Sequence, residues 1–271
     1  MVTWVVQRQT DERRDQGNKK IQASCLAQYH NFIEIDIVPF ERSVVGGDPV
    51  IEGPVVVHGS TAILDVSKRN QWSPGVFTIY KESDTLAAIG EHYLNHDMKV
   101  LAVDEVVPYV QSQGLDYFFA KPDKDLKSFD GTVFDAEKFP FFMERVTKYT
   151  NYDPETKICV SPIKHPEVEW RFVIVDGQAV AFSQYRVDRR LNVVGHAEGR
   201  AIKFAEEIAG YASPNDVFVM DVCRIGNVYK VIEYNTFNCS GLYACNVFEI
   251  TEAINYYVEK TYDPQGNALQ R

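Results

Sequence analysis

Short apolar runs alternate with polar, helix-patterned stretches through the first hundred residues. The runs are Thr3–Val6, Ile33–Val38, Val55–Val57 and Val76–Tyr80. The helical stretches are Asn18–His30, a short segment ending at Asn70, and Thr85–His96. Strands alternating with helices in this way predict a parallel sheet with helices packed on it. From Gln111-Ser-Gln-Gly onward aromatic-rich strands and hairpin turns take over, and only two later helices are predicted, roughly Ala197–Ala209 and Ile250–Lys260. The first of these carries Ala201, Ile202, Ala205, Ile208 and Ala209 on one face and is expected to stop at Gly210. The expected architecture is α/β at the start and mixed or antiparallel afterwards, with the boundary between about Tyr80 and Met98.

Two hairpins carry most of the chemistry. In Glu169–Arg186 the pair Asp176-Gly177 is a strong two-residue turn signal between alternating strands. That turn puts Trp170, Phe172, Ile174, Ala179, Ala181 and Tyr185 on one face and Glu169, Arg171, Gln184 and Arg186 on the other. The two guanidiniums either recognise a phosphate or carboxylate, for which their planar donor fork is suited, or form surface ion pairs with Glu167 and Glu169.

The second hairpin joins Val217–Cys223 to Tyr229–Asn235 through Ile225-Gly-Asn-Val228. A three-residue loop at Gly226-Asn227-Val228 sets Asp221 opposite Glu233 with Asn235 on the same face; a two-residue loop at Gly226-Asn227 splits the carboxylates between faces. The odd loop is the expectation. Asp221, Glu233 and Asn235 then offer the oxygen set that magnesium takes, the alternative being a half-exposed hairpin with polar outward positions.

A length of 271 residues favours two packed units or one large α/β assembly. The chain is 45% hydrophobic and 24% charged and has no run of about 18 apolar residues, so a soluble protein is expected. The start, Met1-Val-Thr-Trp-Val-Val-Gln-Arg, lacks the apolar core of a signal peptide. Cys25, Cys159, Cys223, Cys239 and Cys245 are odd in number and without CxxC spacing, which points to free thiols and a cytoplasmic location. A net charge of −10 argues against nucleic acid or an anionic membrane as partner, so an anionic substrate needs a local basic pocket.

Three further segments have the composition of ligand contacts. Val55-Val-Val-His58-Gly-Ser60 ends in a glycine where a strand meets a helix, either a ligand loop or simply a tight turn. Tyr117-Phe-Phe-Ala-Lys121-Pro places an ammonium among aromatics, where it either snorkels to water or meets an anion. Lys127-Ser-Phe129-Asp-Gly131 adds a second lysine in a flexible stretch with too few glycines for a Walker loop.

In order, these segments are strand lysine, glycine stretch, Glu-x-Arg hairpin, helix, strand Asp and strand Glu-x-Asn. The succession over roughly residues 115–245 resembles the ATP-grasp family. It is most similar to the divergent phage and bacterial clade named for one arginine and two lysines, distantly related to a eukaryotic translation-initiation assembly factor. The carrying motifs are Phe119-Ala-Lys121-Pro, Lys127-Ser-Phe129-Asp-Gly131, Glu169-Trp-Arg171, Asp221, and Glu233-Tyr-Asn235 followed by Phe237-Asn-Cys-Ser240-Gly241-Leu-Tyr243.

The resemblance implies an ATP-grasp fold: a Rossmann-like pre-ATP-grasp domain over 1–90 and an ATP-grasp domain over 91–271, with lid strands at about 115–160 and a catalytic part at about 161–271. It implies that Lys121 and Lys127 contact ATP phosphates and that the segment Cys159-Val-Ser-Pro-Ile163, at Val160, Ser161 and Ile163, supplies backbone groups to the adenine. Arg171, with Arg186, would hold a phosphate or the acyl intermediate, and Asp221, Glu233 and Asn235 would bind Mg2+. The implied activity is an ADP-forming carboxylate–amine ligase acting through an acyl phosphate on a peptide or protein acceptor. An ATP-binding assembly or chaperone-like module without turnover, and a phosphotransferase, use the same residues. The longer glycine-rich lid loop of ordinary ATP-grasp ligases is missing, and no hinge glutamate is assigned.

Overall fold

The computed structural model describes residues 1–9, 12–77, 80–124, 129–150, 152–153 and 155–269. The chain opens with β1 (Thr3–Gln7), α1 (Glu12–Ala27), β2 (Asn31–Ile35), β3 (Val55–His58), α2 (Ala62–Arg69) and the short β4 (Pro74–Gly75). All four strands are parallel, in the order β2-β1-β3-β4. A parallel strand covered on both faces reads as a continuous apolar run, which is why every residue of Thr3–Gln7 is buried. Trp4 and Val6 face Ile21 and Cys25 of α1, while Val5 faces Ile63 and Val66 of α2. The expected strand at Val76–Tyr80 is displaced to Pro74–Gly75, and Thr78 and Ile79 lie outside the described residues.

Helix α3 (Glu82–Ile89) leads to β5 (Lys99–Leu101), α4 (Val103–Ser112), β6 (Tyr117–Pro122), β7 (Thr132–Asp135), α5 (Phe139–Tyr149) and β8 (Ile158–Ser161). These strands form an antiparallel sheet ordered β5-β8-β6-β7, closed on one face by α4 and α5 around Phe118, Phe134 and Phe139. The expectation of only two helices after Gln111 fails here. Phe139-Pro-Phe-Phe has strand-like composition, but its apolar residues continue as Phe139, Met143 and Val146, the spacing of a buried helix face, and its proline sits in the first turn.

The remaining elements are β9 (Val168–Val175), β10 (Gln178–Val187), β11 (Arg190–Val194), α6 (Gly199–Ala212), β12 (Val217–Ile225), β13 (Val228–Asn235) and α7 (Val247–Thr261). Their strands form an antiparallel sheet, β11-β10-β9-β12-β13. Central β9 is buried throughout. Its Trp170, Phe172 and Ile174 pack on Ala201, Ala205 and Ile208 of α6, while Val173 and Val175 join Ile250 and Ile254 of α7 in a core shared with Trp4 of the parallel sheet. Helix α6 runs through Gly210 to Ala212 instead of stopping at the glycine. Among the described residues no helix is long and apolar enough to cross a membrane.

Bulges alter both hairpins. Strands β12 and β13 are joined by a two-residue turn, with Ile225 opposite Val228 and Gly226 at a φ of 58°. The three-residue loop expected from the sequence is therefore wrong. Asp221 is nevertheless opposite Glu233, because the register shifts between Val222–Val231 and Asp221–Glu233, leaving Ile232 as an extra residue. A bulge supplies the odd residue that the loop does not. In the β9–β10 hairpin the Asp176-Gly177 turn has two residues as expected, and Ala179 stays opposite Ile174 and Arg186 opposite Glu169, but register shifts at Val180 and Tyr185 move Ala181, Gln184 and Tyr185 off their expected faces. Ala181 pairs with Val173, Gln184 pairs with Trp170, and Tyr185 leaves the Trp170 face.

Candidate functional site

Three adjacent strands put Arg171, Asp221 and Glu233 in one row across the sheet, Arg171 opposite Asp221 and Asp221 opposite Glu233. The Arg171 guanidinium donates from Nε to Asp221 Oδ1 at 2.8 Å and from Nη2 to Oδ2 at 2.7 Å, and from Nη1 to the Gly241 carbonyl at 2.7 Å. Its face lies 5.0 Å from the Tyr243 ring centre, and Tyr243 stacks on Tyr185 at 5.0 Å. The bulge at Tyr185 brings that ring into the site. Three acceptors and an aromatic face leave the guanidinium one orientation.

Lys121 enters from β6 of the neighbouring sheet. Its Nζ lies 2.8 Å from Glu82 Oε1 and 3.0 Å from Glu233 Oε2, and the side chain is 7% exposed. The ammonium thus meets anions instead of snorkelling. The Tyr93 hydroxyl donates to the second Glu82 oxygen, and Asn235 Nδ2 donates to Glu233 Oε1 at 3.0 Å.

Burial acts against every charge in this group, and the partners decide the outcome. It pulls the Lys121 ammonium down, but Glu82, Tyr93 and Glu233 more than reverse this and hold it well above its ordinary range. Burial also works against Glu233, where the Lys121 charge and the Asn235 amide win and lower its carboxyl to about 2. At Glu82 burial wins over Lys121 and pushes the carboxyl up to about 7. Burial likewise raises the Asp221 carboxyl against the opposing Arg171 charge.

A titration prediction follows from Glu82. Its folded-state value is raised from 4.5 to about 7, so its contribution to stability is present below about pH 4.5 and is lost as pH rises through about 7. Denaturation midpoints of wild type and Glu82→Gln, compared across that window, are expected to converge on the acid side and separate toward pH 8, with the glutamine variant the more stable. Parallel profiles would show that Glu82 does not titrate there.

These groups line a cavity of about 580 Å3 between the two antiparallel sheets. Lys124, Lys164, Arg186 and Arg189 also face it, so its wall carries six cations against five carboxylates in a chain of net charge −10. Leu94, Phe119, Ile163 and Ile232 give it an apolar part. Arg186 is half-exposed and reaches Glu169 at 3.4 Å.

The structure therefore gathers Lys121, Ile163, Arg171, Arg186, Asp221, Glu233 and Asn235 in one place. Of the three positions expected to offer backbone groups to the adenine, Ile163 lines the cavity and Val160 and Ser161 do not; the Val160 side chain packs in the core with Phe118, and the Ser161 hydroxyl donates to Asn95 Oδ1 at 3.1 Å. Lys127 lies outside the described residues. The sequence reading missed Glu82, Tyr93 and the stacking role of Tyr185. Tyr243 had a signal, as the end of the segment after Asn235; Glu82 and Tyr93 had none, being 39 and 28 residues from Lys121 in the chain.

The donor set fits magnesium with a polyphosphate. Two opposed carboxylates and an amide are hard oxygen ligands, and among the described residues no third carboxylate, His or Cys completes an all-protein cage. Magnesium is held in this way when phosphate oxygens and water fill its remaining positions. The cavity volume is within the range of small-molecule sites, about 300–1,000 Å3.

Comparison with solved structures places the chain among ATP-grasp folds. D-cycloserine synthetase DcsG aligns with a TM-score of 0.62 at 12% identity, covering 94% of this chain and 99% of its own. D-alanine–D-alanine ligase from Bacillus anthracis aligns at 0.58 and 11%, covering 96% and 93%. A RimK domain ATP-grasp protein from Sphaerobacter thermophilus aligns at 0.56 and 10%, covering 98% and 97%. At these identities the likeness is one of fold. Comparison with curated protein sequences gives no match. The profile of one family matches residues 51–254, and its description is an ATP-grasp domain, family 3 of the clade named for one arginine and two lysines. The motif order, the fold and this match agree, and the chain belongs to that clade of the ATP-grasp family.

Proposed function

We propose that the protein is an ATP- and magnesium-dependent carboxylate–amine ligase that releases ADP and acts on a peptide or protein acceptor. The observation that carries this reading is the row Arg171–Asp221–Glu233 with buried Lys121 set against its end, all open to one cavity. Phosphoryl transfer asks little covalent chemistry of a protein; it asks for positioning and for cations where charge develops.

In the proposed reaction a substrate carboxylate oxygen attacks the γ-phosphorus, the bond from that phosphorus to the bridging oxygen breaks, and ADP leaves. An amine then attacks the acyl carbon and loses its proton, the carbon–oxygen bond to phosphate breaks, and phosphate departs from the new amide. Lys121, and by the motif order Lys127, would hold the polyphosphate. Arg171, fixed by Asp221 and Gly241, and Arg186 would face the acyl phosphate and the oxyanion of the tetrahedral intermediate. Magnesium, held by Asp221, Glu233 and Asn235, would neutralise phosphate charge during transfer.

The test is a screen of the purified protein with ATP and magnesium against amino acids and peptides. ADP release with an amide product is expected. ATP binding without ADP release would point instead to an assembly module, and a stable phosphorylated product to a phosphotransferase.

A further inference from the structure

A second cavity, of about 930 Å3, adjoins the first and shares Phe129, Asp130 and Tyr243 with it. It is lined by the segments that follow β1 and β3, by α1 at Lys20, by residues 239–243, and by Leu191 and Val193 of β11. Strand β11 is the edge of its sheet, and among the described residues nothing pairs with its outer side.

The turn that leads into β11 fixes which backbone groups of that edge are unpaired. Asp188 and Arg189 both take positive φ, 45° and 64°, the signature of a two-residue hairpin turn. Val187–Arg190 is then the hydrogen-bonded pair, and Leu191, opposite Arg186 in the next pair, turns its N–H and C=O outward. Leu191 is 74% exposed and Val193 42%. Beyond that pair the register shifts, Asn192 and Val193 together opposing Tyr185, so the bulge interrupts the alternation of the edge; Leu191 and Val193 nevertheless both line the cavity. Exposed apolar side chains beside unpaired backbone groups are what a peptide uses when it joins a sheet edge.

Charge identifies the kind of peptide. In a chain of net charge −10, the hairpin carries Arg186, Arg189 and Arg190 against Asp188. Arg189 makes no ion pair among the described residues, and it lines the first cavity with Arg186. The cationic end of the edge strand therefore opens toward Arg171.

We propose that the peptide substrate is an extended, acidic segment that adds to β11 at Leu191, packs apolar side chains on Leu191 and Val193, and runs past Arg189 into the cavity at Arg171. This rests on the ligase reading for the peptide's role as reactant, and it supplies the mode of recognition.

A display library of random short peptides selected on the full-length protein tests it. The recovered peptides are expected to combine apolar residues with Asp or Glu and to slow hydrogen exchange at Leu191. They are expected to bind Leu191→Asp/Val193→Asp at least about tenfold more weakly, as loss of a buried leucine contact requires. Binding of a non-hydrolysable ATP analogue by that variant should be unchanged. Recovery of no peptides, or of peptides indifferent to the substitutions, would overturn the proposal. So would a wild-type dimer that the substitutions dissociate, since the edge would then belong to a second copy. Peptide binding without ADP release would leave the docking surface standing and remove the ligase reading. ADP release with free amino acids and no peptide binding would do the reverse.

Discussion

Arg171→Ala is expected to destabilise the protein by about 3–5 kcal/mol at neutral pH, the usual cost of removing one partner of a buried ion pair. Asp221 is 3% exposed and its two oxygens accept from Arg171. The substitution leaves a carboxylate without its counter-charge and the Gly241 carbonyl without its donor. Burial already raises the Asp221 carboxyl, and losing the guanidinium raises it further. A raised carboxyl contributes stability below its unfolded value, about 3.9, and loses it as pH rises through the folded value. The deficit of the variant is therefore smallest near pH 4 and largest at neutral pH. Urea unfolding at both ends of that range measures it, and an unchanged midpoint at neutral pH would show that Asp221 finds another partner. Arg171→Met/Asp221→Leu is expected to recover most of the stability, because removing both charges removes the uncompensated one. Nucleotide turnover should be lost in Arg171→Ala and remain lost in the double variant, which separates the structural role of the pair from its chemical one.

Glu233→Gln is expected to lower magnesium-dependent ADP formation by on the order of 10²–10³-fold, the effect of losing one preorganised charge-stabilising group. The fold should survive. The Glu233 side chain is 31% exposed, and Lys121 keeps Glu82 at 2.8 Å when Glu233 loses its charge. Circular dichroism and the unfolding midpoint check the fold, and an ADP assay titrated with magnesium checks the site. Near-wild-type turnover would remove Glu233 from the metal site.

The sequence disclosed what local patterns encode. Asp176-Gly177 announced its turn, the buried run at Thr3–Val6 announced a parallel strand, and the order Lys121, Arg171, Asp221, Glu233 announced the family. Bulges were not legible. Ile232 is an ordinary β-branched strand residue, and nothing beside it says that it is extra; only pairing with β12 does. For the same reason strict alternation puts Ala181, Gln184 and Tyr185 on the wrong faces, since it counts residues and a bulge adds one. Helix α5 was hidden by strand-like aromatics until its packing on α4 and β6 decided the matter. Glu82 and Tyr93 meet Lys121 only through tertiary structure, and burial, which makes that meeting consequential, is a property of the folded chain.

The most direct test of the site is a crystal structure with a non-hydrolysable ATP analogue and magnesium. The expected result is metal coordinated by Asp221, Glu233 and Asn235, with the triphosphate beside Lys121 and the cavity before Arg171 left open for substrate. A metal or triphosphate bound away from Asp221 and Glu233 would contradict the account.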